Sequence, residues 1–179
     1  MIKKIKQTKS EKILIIFISL LAIFSFIFVF SIKNKCLFVK NNDPSKIIFE
    51  NRDNIAILNA ECGNVIIELY PDISPNTVKR FKELIKEKKY DQVAFHRVIK
   101  NTLVQGGDLE FGRKNNLNYT YLGTGSSGLG LLNTEISRTF NFTKGTVGFA
   151  RTNKKNTEDS QFFILLVDAP LFKEEYTPV

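Results

Sequence analysis

From Ile13 to Ile32 the chain reads ILIIFISLLAIFSFIFVFSI, twenty residues with no charge and no proline. That length matches the roughly 20 apolar residues needed to cross a bilayer. No helical face of the run is polar, which argues against a buried helix of a soluble domain. Lys3, Lys4, Lys6, Lys9 and Lys12 precede it against a single Glu11, and Lys33, Lys35 and Lys40 follow it. The heavier basic flank is N-terminal, so residues 1–12 are expected to be a cytoplasmic tail, with the rest of the chain facing outward. A cleaved signal peptide would carry a shorter apolar core and a small-residue cleavage site. The stretch Phe30-Ser31-Ile32-Lys33-Asn34-Lys35-Cys36 offers no such site, nor the small uncharged residues that precede a lipid-modified cysteine. The expectation is a retained signal anchor over 13–32, with the lipid bilayer as its partner.

The anchor also accounts for the charge. The chain carries a formal +8, but up to Lys40 there are eight lysines and one glutamate. From Asn41 onward 18 basic residues face 17 acidic ones. The excess belongs to the membrane flanks and not to a groove tracking phosphates, so nucleic acid is excluded as a partner. Cys36 and Cys62 allow one disulfide at most, and the residues leave open whether they pair. One histidine and no Cys/His cluster provide no ligand set for zinc, and neither a metal nor a cofactor is expected.

With Pro44 and mixed charge, residues 33–53 read as a linker. Residues 54–60 and 65–70 are rich in β-branched and apolar residues, and the short Glu61-Cys62-Gly63-Asn64 between them suits a hairpin turn. Ser74-Pro75 fits an N-cap followed by proline in the first turn. Val78, Phe81, Leu84 and Ile85 repeat at helical spacing, predicting an amphipathic helix over 76–88. Strands are predicted over 93–99, 145–150 and 162–167, with a polar, glycine-rich stretch over 106–130 between the first two. Short strands, glycine turns and one early helix describe a mainly β, antiparallel domain over 54–179 with a helix closing one end.

The densest chemistry lies in Phe95-His96-Arg97-Val98-Ile99 followed by Gln105-Gly106-Gly107-Asp108. A guanidinium stays charged and is rarely buried without a partner, so one set in an apolar strand is a candidate for acting on a polar ligand. Alternation places Phe95, Arg97 and Ile99 on one strand face. His96 has no activated serine or cysteine adjacent and reads as a structural histidine, hydrogen-bonded behind the strand. The glycines from Gly123 to Gly130 lack a following Gly-Lys-Ser/Thr and read as a flexible surface loop. Lys154-Lys155 and Glu158-Asp159 read as a solvated loop leading to Ser160.

Together with Gly145-Thr146-Val147-Gly148-Phe149-Ala150-Arg151 and Ser160-Gln161-Phe162-Phe163-Ile164, these blocks resemble the cyclophilin family of peptidyl-prolyl cis/trans isomerases, from about Asn54 to Val179. The ten-residue step from Ala150 to Ser160 is similar to bacterial members. The resemblance implies a cyclophilin-like antiparallel β-barrel and an isomerase of proline-containing polypeptides. Behind the anchor, that domain is expected on the periplasmic side of the inner membrane, assisting the folding of exported proteins. It implies Arg97 as the catalytic residue, with Phe95 and His96 structural beside it. It implies Gln105 as polar pocket partner, Ala150, Arg151 and Thr152 along the peptide groove, and Gln161 and Phe163 in the second wall, Phe163 against the proline ring. Three departures bear on the pocket. Thr102 stands where the family usually has phenylalanine, Leu103 replaces a common methionine, and Phe172 and Tyr176 fill positions often held by leucine and histidine. The family also continues beyond Val179 through a Phe-Gly pair, a helix and a closing strand. The resulting expectation is a barrel incomplete at the C-terminus, with the outer edge of the 55–60 strand unpaired. Two alternatives stand beside the isomerase: a peptide-binding or assembly module with weak catalysis, and a membrane protein whose anchor is the functional part.

Overall fold

The computed structural model describes residues 8–33, Cys36 and 43–179. Lys3, Lys4, Lys6, Lys35, Lys40 and the stretch 37–42 of the expected linker lie outside the described residues. The chain divides into two compact units, residues 1–47 with 58–65 and residues 48–57 with 66–179.

In the N-terminal unit, helix α1 spans Lys9–Lys33. It starts before the apolar run because Thr8-Lys9-Ser10-Glu11 forms a capping box. Glu11 N–H donates to Thr8 Oγ1 (3.3 Å), and Thr8 N–H donates to Glu11 Oε2 (2.8 Å). The stretch Lys9–Ser31 is long and apolar enough to cross a membrane, and its side chains are exposed on every side. Cys36 is disulfide-bonded to Cys62, 26 residues on, which settles the pairing that the sequence leaves open.

Strands β1 (Ile55–Ala60) and β2 (Gly63–Glu68) form a hairpin across Glu61-Cys62, a tighter turn than expected. The larger unit is built on helix α2 (Pro75–Lys86) and strands β3 (Arg97–Ile99), β4 (Leu103–Gly106), β5 (Val147–Phe149) and β6 (Phe162–Leu165). The last four make one antiparallel sheet in the order β3-β4-β6-β5. Two sheets therefore stand where a closed barrel would have one. Among the described residues β1 pairs with no strand but β2. The free edge of β5 is covered by the chain end, where Phe149 N–H donates to Thr177 O (2.9 Å) and Val179 N–H to Val147 O (3.0 Å).

Strand β3 is exposed along its length, whereas β4, β5 and β6 are covered on both faces. On one, Phe162 packs edge-on against Phe81 of α2 (5.4 Å between ring centroids) and Tyr90 (5.5 Å), and Phe149 meets the same Phe81 at 6.0 Å. On the other, Leu103, Phe163 and Leu165 pack with Phe142 beneath Phe140, Ala169, Phe172 and Tyr176. Consecutive phenylalanines at 162 and 163 are the consequence, since neighbouring strand residues point to opposite faces and both faces here are dry.

Two readings of the sequence are corrected by this packing. β3 begins only at Arg97, and the Phe95 ring turns to Phe162 (6.1 Å), on the α2 face, so it does not share a face with Arg97. Lys154 and Lys155 are solvated as expected, but Glu158 and Asp159 are buried. Asp159 Oδ1 pairs with Arg80 Nη1 of α2 at 2.8 Å, and the same nitrogen donates to Gly130 O at 3.0 Å. The ion pair ties α2 to the segment that leads into β6.

Candidate active site

Register places the site. Arg97 stands opposite Gln105, Gln105 opposite Phe163, and Phe163 opposite Gly148, one row of same-face residues across four strands. Gly148 belongs in that row for reasons of space: a Cβ there would lie 2.5 Å from Phe163 Cζ, so the ring occupies the room a side chain would take. Gly107, at the end of the β4 segment, has φ +85° and approaches Ser160 O so closely that a Cβ would sit 2.6 Å from it.

Arg97 is exposed, not enclosed in an apolar pocket, and its Nη1 donates to Gln105 Oε1 at 3.2 Å. Gln105 Nε2 donates to Gln161 Oε1 at 3.0 Å. Gln161 Nε2 in turn donates to Gly123 O and Gly125 O, both at 3.0 Å. Gly123 and Gly125 therefore belong to the site's support. An added Cβ at Gly128 would meet nothing within 4 Å, as the reading of that stretch as a surface loop expects, whereas Gly130 is held through its carbonyl by Arg80 Nη1.

Behind this relay lies Asp108, fully buried. Its Oδ1 accepts from Glu110 N–H (3.1 Å) and Phe111 N–H (2.8 Å), and its Oδ2 from Gly123 N–H (2.6 Å) and Gly125 N–H (3.2 Å). Burial pushes the carboxyl pKa up, but the four backbone donors outweigh it and hold the pKa below the usual value. His96 stands beside Gly123, and neither of its buried ring nitrogens has a hydrogen-bond partner, unlike the hydrogen-bonded histidine expected from the sequence. Burial lowers its pKa, partly offset by the Asp108 charge and the polar groups of Gln161 and Ala94.

The apolar wall is aromatic. Phe163 is only 2% exposed, covered edge-on by Tyr176 (5.2 Å) and Phe172 (5.7 Å). Leu103 is buried beside it, and Ala150 packs against the same cluster. The Arg151 side chain is committed to the 175–176 segment. Its Nη2 pairs with Glu175 Oε2 at 2.5 Å, its Nε donates to Glu175 O at 2.9 Å, and the guanidinium lies 5.0 Å over the Tyr176 ring. Thr152 N–H donates to Thr157 Oγ1 at 3.0 Å. Thr102 is half-buried in the turn after β3, its hydroxyl on Lys100 O at 3.3 Å. The structure thus joins Arg97, Gln105 and Gln161 in one relay and Leu103, Phe163, Phe172 and Tyr176 in one cluster. Asp108, Gly123, Gly125 and Glu175 are supporting residues that the sequence reading did not assign. Among the described residues, no group of three or more His, Cys, Asp or Glu side chains is placed to hold a metal ion.

A family model described as cyclophilin type peptidyl-prolyl cis-trans isomerase/CLD matches residues 55–178, the span that carries this relay and wall. The chain belongs to the cyclophilin-type peptidyl-prolyl isomerase family. A probable peptidyl-prolyl cis-trans isomerase of Brucella suis is 41% identical over 128 residues, covering 71% of this chain and 65% of that protein. The chain thus spans less than two thirds of that relative's length. Peptidyl-prolyl cis-trans isomerase B of Escherichia coli is 34% identical over 106 residues, 59% of this chain and 58% of that one. Among solved structures, a Cryptosporidium parvum cyclophilin crystallised in the presence of the dipeptide Ala-Pro superposes with a TM-score of 0.56 at 28% identity, over 65% of this chain and 70% of that one.

Proposed function

We propose that this chain is a peptidyl-prolyl cis/trans isomerase, carried on the membrane by α1, that turns X–Pro bonds of exported polypeptides beside Arg97. The observation that carries the reading is the Arg97 guanidinium, held by Gln105 Oε1 at 3.2 Å and set in one cross-strand row with the Phe163 wall. Rotation about an amide costs about 18–20 kcal/mol because resonance must be lost. The two X–Pro isomers differ by only about 0.5–1 kcal/mol, so the reaction is slow and nearly thermoneutral. It asks for stabilisation of a twisted amide, whose nitrogen regains a lone pair, and not for a nucleophile. Arg97 donates to that nitrogen or holds the neighbouring carbonyl. One charged hydrogen bond contributes about 1.5–3 kcal/mol, which is about one to two decades of rate. Preorganised dipoles and exclusion of water supply the rest.

The Ala-Pro dipeptide in the crystals of the Cryptosporidium relative supports a proline-containing peptide as substrate. In this reading Thr102, Leu103, Ala150, Thr152, Gln161, Phe163, Phe172 and Tyr176 surround the peptide, with Arg151 holding Tyr176 in place. The Cys36–Cys62 disulfide and the basic flank ahead of α1 support a domain outside the cytoplasm, on the periplasmic side of an inner membrane. The test is NMR exchange spectroscopy of the full chain in detergent micelles with a short X–Pro peptide, with Arg97→Ala alongside. Exchange cross-peaks that fade about ten-fold or more in the variant are expected; equal exchange with and without the arginine would overturn the reading. A second reading, a peptide-binding module with weak turnover, is favoured by Thr102, which leaves the pocket without an aromatic ring there. Peptide shifts without exchange would select it.

A further inference from the structure

We propose that Asp108 is a positioning residue for Arg97, holding the loop end of the hydrogen-bond relay that orients the guanidinium. The proposal rests on the isomerase reading for its kinetic consequences, and on geometry alone for the relay.

A glutamine side chain has a donor end and an acceptor end of nearly the same shape, and its environment decides which end faces which way. Two such side chains in series, Gln161 and Gln105, separate Arg97 from the 123–125 segment. The guanidinium at one end carries donors only, and the Gly123 and Gly125 carbonyls at the other end carry acceptors only. One sense of the relay satisfies both ends: Gln161 Nε2 on the two carbonyls, Gln161 Oε1 on Gln105 Nε2, and Gln105 Oε1 on Arg97 Nη1. With both glutamines flipped, an NH2 group would face the guanidinium, donor against donor.

Both ends favour the same sense, and at the loop end it is Asp108 that holds the two carbonyls in place. Its Oδ2 accepts the N–H of both Gly123 and Gly125, the two residues whose carbonyls receive Gln161 Nε2. Its Oδ1 is fixed by Glu110 N–H and Phe111 N–H, so the carboxylate cannot turn. A Cβ on Gly125 would run into Asp108 Oδ1, so the segment approaches the carboxylate as closely as backbone can. Asp108 lies fully buried and has no route to a peptide substrate of its own, and it acts through Gln161 and Gln105.

The test is Asp108→Asn in the full chain in micelles, measured alone and in an Arg97→Ala background. Asparagine keeps the shape but sets an NH2 group against backbone N–H donors. The expected result is a kcat lowered about ten-fold with KM within about two-fold, because substrate grip comes from the aromatic cluster and the relay acts in the transition state. In the Arg97→Ala background Asp108→Asn should then change kcat no further. The side-chain amide resonances of Gln105 and Gln161 and the Arg97 Nε–H signal should shift and exchange faster with water. An equal loss of kcat in both backgrounds, or unmoved amide and guanidinium signals, would overturn the proposal. If Asp108→Asn does not fold, Gln161→Met breaks the relay one link nearer the arginine and leaves the carboxylate cage intact. It should give the same kcat–KM split and the same change at Arg97 Nε–H, and an unaffected Arg97 would overturn the proposal. If the wild type shows no isomerase activity, the function reading fails, and the amide and guanidinium signals still decide whether Asp108 orients Arg97.

Discussion

His96 illustrates how a single side chain near the site couples to solution conditions without entering the chemistry. Both ring nitrogens are buried and unpartnered, and burial keeps the imidazolium from forming at its usual pH. Its folded-state pKa lies below the unfolded value near 6.5, so on acidification the unfolded chain takes up a proton that the folded chain resists. The linkage sign follows: stability contributed by the neutral ring is present above about pH 6.5 and falls as pH drops through that value toward the native pKa. Asp108, held below its ordinary carboxylate value, titrates at lower pH and does not contribute in this window. The thermal midpoint should therefore fall between about pH 7.5 and 5.5, and His96→Gln should flatten that slope even if it lowers the midpoint overall. An unchanged slope in the variant would assign the sensitivity to another group.

At the scale of elements, what could be read from the sequence was what neighbours in the chain decide. The apolar run yields α1, and the period of Val78, Phe81, Leu84 and Ile85 yields α2, because these are properties of consecutive turns. The start of α2 shows where such reading stops. Ser74 sits at the expected cap position, but its hydroxyl donates to Pro178 O at 2.5 Å, and the first-turn N–H groups of Asn76 (3.1 Å) and Thr77 (2.9 Å) go to the Glu135 carboxylate. The cap comes from 59 residues away in the chain, so no local motif announces it. The same holds at the site. Arg97, Gln105, Gln161 and Phe163 were legible through family resemblance, whereas Asp108 and the Gly123–Gly125 carbonyls gain their roles only when the 106–125 loop closes on itself. Glycines without side chains leave no pattern by which to tell a cradle from a free loop. The Phe95 face was misread because strand alternation was extended two residues beyond the true start of β3. For α2 the consequence is measurable. Glu135→Ala removes the acceptor of two orphan N–H groups and a negative charge at a helix N-terminus, and should cost about 1–2 kcal/mol. Hydrogen exchange at Asn76 and Thr77 should accelerate along with the lower urea midpoint, and unaltered exchange at those two amides would show that water replaces the carboxylate without loss.

For the whole molecule the disulfide carries the widest implication, because it joins chemistry to compartment. Cys36 follows the C-terminal end of α1 closely and Cys62 sits in the β1–β2 turn, so the bond closes a loop that contains the described linker turns and all of β1. In the chain-entropy picture a loop of this length removes about 3–4 kcal/mol from the unfolded ensemble. Such bonds persist in oxidising compartments and are rare in a reducing cytosol. The lysine-rich N-terminal flank argues for the same orientation by an independent route, since basic residues stay on the cytoplasmic side. Both arguments support the proposal that residues beyond α1 lie outside the cytoplasm. The full chain expressed in a bacterial inner membrane should therefore resist maleimide-polyethylene glycol until a reductant is added, and Cys62→Ser should leave Cys36 reactive at once. Protease added to intact spheroplasts should remove the isomerase-like domain. Both thiols reacting without reductant, together with protection of the domain until the membrane is broken, would place it in the cytosol and leave the disulfide unformed in the cell.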